Sequence, residues 1–478
     1  ATPLNNTPFD ILSQIKLFQK GHNSTIPNVR DLDKFFSGLQ KKLKSVDRKE
    51  IKNYLKIVRE NSLTIRENIL KYLMVRRTRT EVLKYFKKDL QQQRLKFPEV
   101  AEPRRVYYQF GAQLDKIFMR SIELIKNFKY TRYMPLLYLK NTDPQEVTGQ
   151  RNLGRFMRIL LVKRLESSFH AFKMTLDRFI HSYDSFIKML DKGTIYISKK
   201  HSEKIYEALE NDDLSRIMEL VEQDKVQKYE SGDFSKSFRE HLKEDMDILL
   251  EMKKSWDEVQ VDPKIDQFKS ILTKDKILKE NKLIIFTESK ETAEYLDKNL
   301  REEFGGQVLS FSSKSSAAVR ETIIDNYDPK HKNYKNDIRI LITTDILAEG
   351  VNLHRSNVVI NYDIPWNPTR ILQRVGRVNR VDTKFDDIYV YNFFPSIQGN
   401  NEIKLEEAAI AKIQAFHDTL GEDAQYLTEG EEITSHELFN RLNSKKLLEE
   451  GGEVEEDSEL KYHYCPVITW TIPIGYRF

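Results

Sequence analysis

The sequence predicts an α/β protein in which a parallel sheet, covered by helices on both faces, is joined to a large α-helical region. Two patterns predict it. From Lys282 onward, short apolar runs (Leu283 to Phe286, Val308 to Phe311, Ile338 to Ile342, Val358 to Tyr362 and Ile388 to Phe393) alternate with helix-forming or loop sequence, as strands buried on both faces do. Before Lys282, apolar residues recur at helical spacing with lysine and arginine between them. The 478 residues allow about three domains with sizeable cores. A composition of 39% hydrophobic and 32% charged residues excludes a disordered chain and a membrane-embedded one. No run of about 18 apolar residues and no charged-then-apolar leader is present, so a cytoplasmic location is expected. The single cysteine, Cys465, excludes an internal disulfide and a cysteine-based zinc cluster, and no metal site is expected.

In chain order, Leu32, Phe35, Phe36 and Leu39, then Ile51, Leu55 and Val58, predict amphipathic helices between Asp31 and Asp89. Pro98 and Pro103 break that pattern, and the aromatic stretch Val106 to Phe110, closed by Gly111, predicts a strand. Long helices are predicted over Leu114 to Tyr130, Leu153 to Leu190, His201 to Gln223 and Ser235 to Val259, with breaks at Gly149, Gly193 and Ser231-Gly232. No fixed repeat links them, which argues against a solenoid. In the sheet that follows, crossovers should be right-handed and ligands should gather at the carboxyl ends of the strands.

Charge is unevenly spread. Lys41 to Arg105 carries an excess of roughly twelve positive charges, and Ser396 to Phe478 an excess of about ten negative ones. Taken alone, the basic stretch reads first as the solvated side of helices and second as a phosphate-binding face. The acidic stretch, including Glu449 to Glu459, reads as a solubilising surface or flexible linker, with a regulatory mimic of nucleic acid as the sharper alternative, and it is where a protein partner is expected.

Three segments at strand ends carry candidate chemistry. If Gln373-Arg374-Val375-Gly376-Arg377-Val378-Asn379-Arg380 continues a helix from Thr369, then Arg370, Gln373, Arg377 and Arg380 fall within about 80° of arc. Planar, permanently charged guanidinium groups on one face suit phosphate oxygens, and Gly376 would admit a close approach. A salt-bridged surface helix is the plainer alternative. Ile340 to Asp345 runs out of a strand into Ile346 to Leu353, where hydroxyls and a glycine could meet phosphate and ribose. Asn361 to Pro368 ends a further strand in a proline turn, and its Trp366 reads as a packing residue before a base-stacking one.

Together, Phe286-Thr287-Glu288, Thr343-Thr344-Asp345 to Asn352, Trp366-Asn367-Pro368 and Gln373 to Arg380 resemble motifs IV, V, Va and VI of superfamily-two helicases. Gly350-Val351-Asn352-Leu353 and Trp366-Asn367-Pro368 are similar to the forms found in SWI/SNF-type DNA translocases. Met74 to Thr78 resembles that family's double-arginine segment, Leu161 to Ser168 resembles a segment of its bacterial and archaeal branch, and Ala1 to Asn6 resembles motif III at the end of the first lobe.

The resemblance implies four parts: a remnant of the first RecA-like lobe (1–30), a helical insertion and linker region (31–270), a complete second RecA-like lobe (271–395) and an acidic extension (396–478). No Gly-x-x-x-x-Gly-Lys-(Ser/Thr) occurs, so ATP and Mg²⁺ would be held mainly by a first lobe outside the chain, and the chain alone should not hydrolyse ATP. The resemblance assigns Arg377 and Arg380, with Gln373, as arginine fingers and their neighbour, and Glu349, Gly350 and Asn352 to the nucleotide. It assigns Thr287, Ser289, Thr343 and Thr344 to the DNA backbone, with duplex DNA as the partner and the helical region as its grip. A scaffold or nucleic-acid-binding protein that keeps only the second lobe is the rival class.

Overall fold

The computed structural model describes residues 8–45, 51–73, 86–93, 95–140, 154, 157, 160–197, 227–312, 315–348, 351–365, 369–381 and 383–394. The motif III-like start, the double-arginine segment, the helix expected at 201–223, Glu349, Gly350, Trp366-Asn367-Pro368, the acidic extension and Cys465 lie outside these residues.

The chain begins with three helices, α1 (Pro8–Ile15), α2 (Leu32–Lys44) and α3 (Ile51–Ile65), the last running on into a π-helical turn at Arg66–Leu70. Asp31 caps α2 by accepting from the Lys34 amide at 2.8 Å, satisfying one of the donors a helix start leaves open. Ile11, Ile15, Leu32, Phe36, Leu39, Ile65 and Ile69 form a core of their own.

Buried residues from Val106 through Phe394 form a second core among the described residues. Strands β1 (Glu99–Val100) and β2 (Arg104–Tyr107) precede helix α4 (Ala112–Asn127) and helix α5 (Phe169–Asp191). An antiparallel pair, β3 (Thr194–Ile197) and β4 (Gln227–Glu230), leads into α6 (Lys236–Asp257), α7 (Pro263–Lys274) and α8 (Lys276–Glu280). Next come β5 (Leu283–Phe286), α9 (Lys290–Phe304), β6 (Val308–Phe311), α10 (Ala317–Tyr327), β7 (Ile340–Thr343), β8 (Val358–Asn361), α11 (Thr369–Val375) and β9 (Asp387–Phe394). The sheet order is β1-β9-β8-β5-β7-β6, every pairing parallel, with β2 also on β9. The strands β5, β7 and β8 are buried at every residue, as expected of continuous apolar runs covered on both sides.

The predicted α/β class is borne out, and several details shift. The strand expected at 106–110 is Arg104–Tyr107, and it belongs to the main sheet, where it pairs in parallel with residues 391–394. The expected helix over 153–190 is interrupted at Ser168. There the backbone is extended (φ −159°, ψ 153°) and the hydroxyl caps α5 by accepting from the Ala171 amide at 3.1 Å. Helix α4 ends at Asn127, short of Tyr130, which sits in the left-handed region at φ 59°. The buried Asp245 carboxylate holds this turn, accepting from the Lys129 amide at 2.7 Å, the Thr131 amide at 2.8 Å and the Tyr183 hydroxyl at 2.9 Å.

Register places the site. Phe286 stands level with Thr343 on one side and Asn361 on the other. The residues that follow each strand therefore emerge side by side on one end of the sheet.

Candidate functional site

Arg374 is the centre of this end. It lies on α11, is fully buried, and meets Asp345 bidentately, Nε to Oδ1 at 2.6 Å and Nη2 to Oδ2 at 3.0 Å. Its Nη1 also donates to Asn361 Oδ1 at 2.9 Å and to the Asp363 carbonyl at 3.3 Å. One guanidinium thus ties the ends of β7 and β8 to the arginine helix. Burial alone would raise the Asp345 carboxyl, but Arg374 and Arg370 more than offset it and hold it below the usual range. Arg370, one turn earlier, reaches Asp345 at 3.2 Å and Glu288 at 3.5 Å.

The helix ends sooner than the sequence suggests. It stops at Val375, and a turn follows in which the Gly376 amide bonds the Leu372 carbonyl at 2.8 Å and the Arg377 amide bonds the Arg374 carbonyl at 3.1 Å. Arg377 and Arg380 therefore do not continue the face of Arg370. Arg377 is half-buried, whereas Gln373 and Arg380 are exposed. Gly376 suits the tight turn: a Cβ there would lie 3.0 Å from the Leu372 carbonyl oxygen and 3.4 Å from that of Gln373, so the backbone would have to give slightly.

The hydroxyl-bearing residues expected to face a nucleic-acid backbone are turned inward. Thr287 is buried and donates to Asp363 Oδ2 at 2.6 Å. Thr343 is buried and donates to the Thr344 carbonyl at 3.0 Å. Ser289 is buried, caps α9 by accepting from the Thr292 amide at 3.2 Å, and donates to Glu291 Oε2 at 3.1 Å. Helix starts and strand ends leave backbone donors and acceptors that nearby hydroxyls satisfy, and here that local demand engages them. Thr344 Oγ1 is buried and meets no hydrogen-bond partner among the described residues. Asn352 is exposed and donates to Asp328 Oδ2 at 3.2 Å. The structure brings Thr287, Ser289, Thr343 and Thr344 to one end of the sheet with the arginine segment.

The helical region reaches into the same end, which the sequence pattern did not reveal. Arg164 is buried, pairs with Glu291 Oε2 at 3.0 Å, and also donates to Ser289 Oγ. Arg178 of α5 meets the other oxygen of Glu291 at 2.6 Å. Ser167 bonds Thr292 at 2.7 Å and Asp363 at 2.5 Å. Lys264, buried at the start of α7, donates to the carbonyls of Glu166 and Ser167, both at 2.8 Å, and lies 4.2 Å from the centre of the Tyr362 ring. Burial lowers the Lys264 ammonium to about 8 despite Asp363, Asp262 and Glu166, and raises the Glu166 carboxyl to about 8.

Burial opposes ionisation of Glu291, but Arg164 and Arg178 overcome it and hold the carboxyl down to about 2. A carboxyl lowered from 4.5 to about 2 contributes about 3 kcal/mol. Because the folded value lies below the unfolded one, that stability is fully present above pH 4.5 and is lost as pH falls toward 2. Glu291→Gln is expected to lower stability at neutral pH by about 3 kcal/mol and to flatten the acid limb. Urea unfolding at a series of pH values measures both, and an unchanged acid limb would contradict this role.

Residues 263–382 match the family model described as the helicase conserved C-terminal domain. With the parallel sheet, that part of the chain has the RecA-like fold of a helicase C-lobe. Among curated relatives, the chain is 29% identical over 179 residues to the uncharacterized ATP-dependent helicase YqhH of Bacillus subtilis (strain 168), covering 37% of this chain and 30% of that protein. It is 36% identical over 104 residues to DEAD-box ATP-dependent RNA helicase 56 of Oryza sativa subsp. japonica, covering 22% of each. The chain thus spans less than a third of either relative. The solved C-terminal part of the Fun30 ATPase domain aligns with 74% of this chain and 98% of that one, at 16% identity and a TM-score of 0.36. No helix among the described residues is long and apolar enough to cross a membrane.

Proposed function

We propose that this chain supplies the second lobe of a nucleic-acid-dependent ATPase, a translocase of the SWI/SNF type that tracks duplex DNA, with the P-loop lobe provided by residues outside the chain. The observation that supports this most is the arginine segment anchored by Arg374 to the strand ends of a helicase C-lobe. Anchoring there fixes the turn from which Arg377 and Arg380 project.

In this reading Arg377 and Arg380 would hold the terminal phosphate of ATP and Gln373 would sit beside them. The donor set fits such a group. Arg370 and Arg374 are engaged with carboxylates, whereas Gln373 and Arg380 are exposed at the same end. Bound ATP supplies the phosphoryl group to be transferred, and Mg²⁺ from the other lobe its counter-charge. The chain's contribution is positioning and positive charge, which such reactions chiefly require. Glu349, Gly350 and Asn352 are proposed to border the nucleotide. Thr287, Ser289, Thr343 and Thr344, all buried, are proposed to act on the nucleic-acid backbone through the loops they hold. Closure and opening of the two lobes would then drive movement along the duplex, with the basic stretch from Lys41 to Arg105 as its electrostatic grip and the acidic extension as a surface for a protein partner.

A second reading, with RNA as the track, is favoured by the RNA helicases among the relatives. Phosphate release by the intact protein with duplex DNA, single-stranded DNA or duplex RNA of one length decides between them. Duplex DNA is expected to stimulate most, and stronger stimulation by RNA would overturn the DNA reading.

A further inference from the structure

Glu288 occupies a position that the motif reading leaves without a task. It follows β5 directly, and its amide donates to Asp363 Oδ1 at 2.7 Å, which fixes the backbone beneath the side chain. One carboxylate oxygen lies 3.8 Å from Lys163 of the helical region and the other 3.5 Å from Arg370 of α11. The side chain is only 10% exposed, against 18% for Lys163 and 19% for Arg370, so solvent screens these charges far less than it would on an open surface. Arg370 continues to Asp345, and Asp345 to Arg374. An unbroken line of alternating charge thus runs from the helical region to the arginine helix.

The neighbouring bridges do not share this property. Arg164 and Arg178 end on Glu291, and Ser167 ends on Thr292 and Asp363. These fasten the helical region to the lobe. Glu288 also meets α11 through its side-chain carboxylate, 3.5 Å from Arg370, whereas Asp363 meets Arg374 through its main-chain carbonyl.

We propose that Glu288 is a positioning residue that couples the helical region to the arginine helix, so that a shift of the Lys163 segment on nucleic-acid binding changes the hold on Arg370 and hence the placement of Arg377 and Arg380. The inference rests on the ATPase reading above and adds to it the route by which nucleic acid reaches the phosphate-binding turn. If Lys163 withdraws, less of the Glu288 charge is engaged toward the helical region and more toward Arg370; if Lys163 approaches, the carboxylate is shared. The geometry of Arg370 responds to that division.

The test is a double-substitution cycle in the intact protein, reading the ratio of nucleic-acid-stimulated to basal phosphate release together with the thermal midpoint. Lys163→Gln and Glu288→Gln are each expected to lower the ratio about tenfold, within the range of ordinary coupling between sites. The double variant is expected to fall no further, because both changes break one line. The bridge-only variant Arg178→Gln is expected to lower the midpoint while leaving the ratio near that of the wild type. Multiplying effects in the double variant, or a ratio that follows the midpoint across all four variants, would overturn the proposal. Wild-type protein whose phosphate release does not respond to any nucleic acid would overturn the ATPase reading itself, an outcome distinct from failure of the cycle.

Discussion

Arg377→Ala is expected to reduce nucleic-acid-stimulated ATP turnover by about 10³-fold or more while leaving nucleic-acid affinity within about twofold. A guanidinium that stabilises charge on a transferring phosphoryl group is worth about 10³ to 10⁵ in rate, or roughly 4 to 7 kcal/mol of barrier. The structure gives the reason for placing that weight on Arg377. It comes two residues after the end of a helix whose Arg374 makes a buried, bidentate pair with Asp345, so the turn carrying Arg377 is anchored to the strand ends. Preorganised charge costs no rearrangement at the moment of reaction. Arg377→Lys should restore little, because an ammonium lacks the planar paired donors. Steady-state phosphate release and fluorescence-anisotropy binding separate the two effects. Equal losses of turnover and of nucleic-acid binding would mean that Arg377 supports the fold or the track, and not the reaction.

Arg374→Met is expected to have the largest effect on stability. Removing one member of a buried ion pair strands the other, typically at about 3 to 5 kcal/mol. Here two further acceptors, Asn361 Oδ1 and the Asp363 carbonyl, lose the guanidinium at once, and Asp345 keeps only the Arg370 contact among those described. In a lobe of this size the thermal midpoint should fall by about 10 °C. Arg374→Lys should recover less than half of that, since lysine cannot reproduce the forked geometry. Arg380→Ala, on an exposed residue of the same segment, should change stability by less than about 0.5 kcal/mol. Circular dichroism melts of the three variants test the contrast, and comparable midpoints for Arg374→Met and Arg380→Ala would refute it.

Much of the lobe was legible in the sequence because a parallel sheet buried on both faces writes itself as apolar runs. Leu283 to Phe286 and Val308 to Phe311 are strands at the residues predicted. The short strands at Glu99–Val100 and Arg104–Tyr107 were obscure for the opposite reason: they add to an edge supplied by residues almost three hundred positions later. At the site, the arginine segment was visible as a cluster, but its working order was not. Helical spacing grouped Arg370 with Arg377 and Arg380, whereas the chain leaves the helix at Val375. Arg374 was passed over because it falls off that supposed face, although its i+4 spacing from Arg370 sets both on the side that meets Asp345. The inward turn of Thr287, Ser289 and Thr343 depends on Asp363, Glu291 and backbone carbonyls brought in by the fold. The buried contacts of Arg164, Ser167 and Lys264 carry no periodic signal at all, since they are set by tertiary packing.

The central proposal is that this lobe would complete an ATP site whose other half lies outside the chain. Phosphate release measured with saturating nucleic acid, first on the 478-residue chain and then on the intact protein, tests it most directly. The account predicts no turnover from the chain alone and nucleic-acid-stimulated turnover from the intact protein. Steady turnover by the chain alone, or none from the intact protein with any nucleic acid, would contradict it.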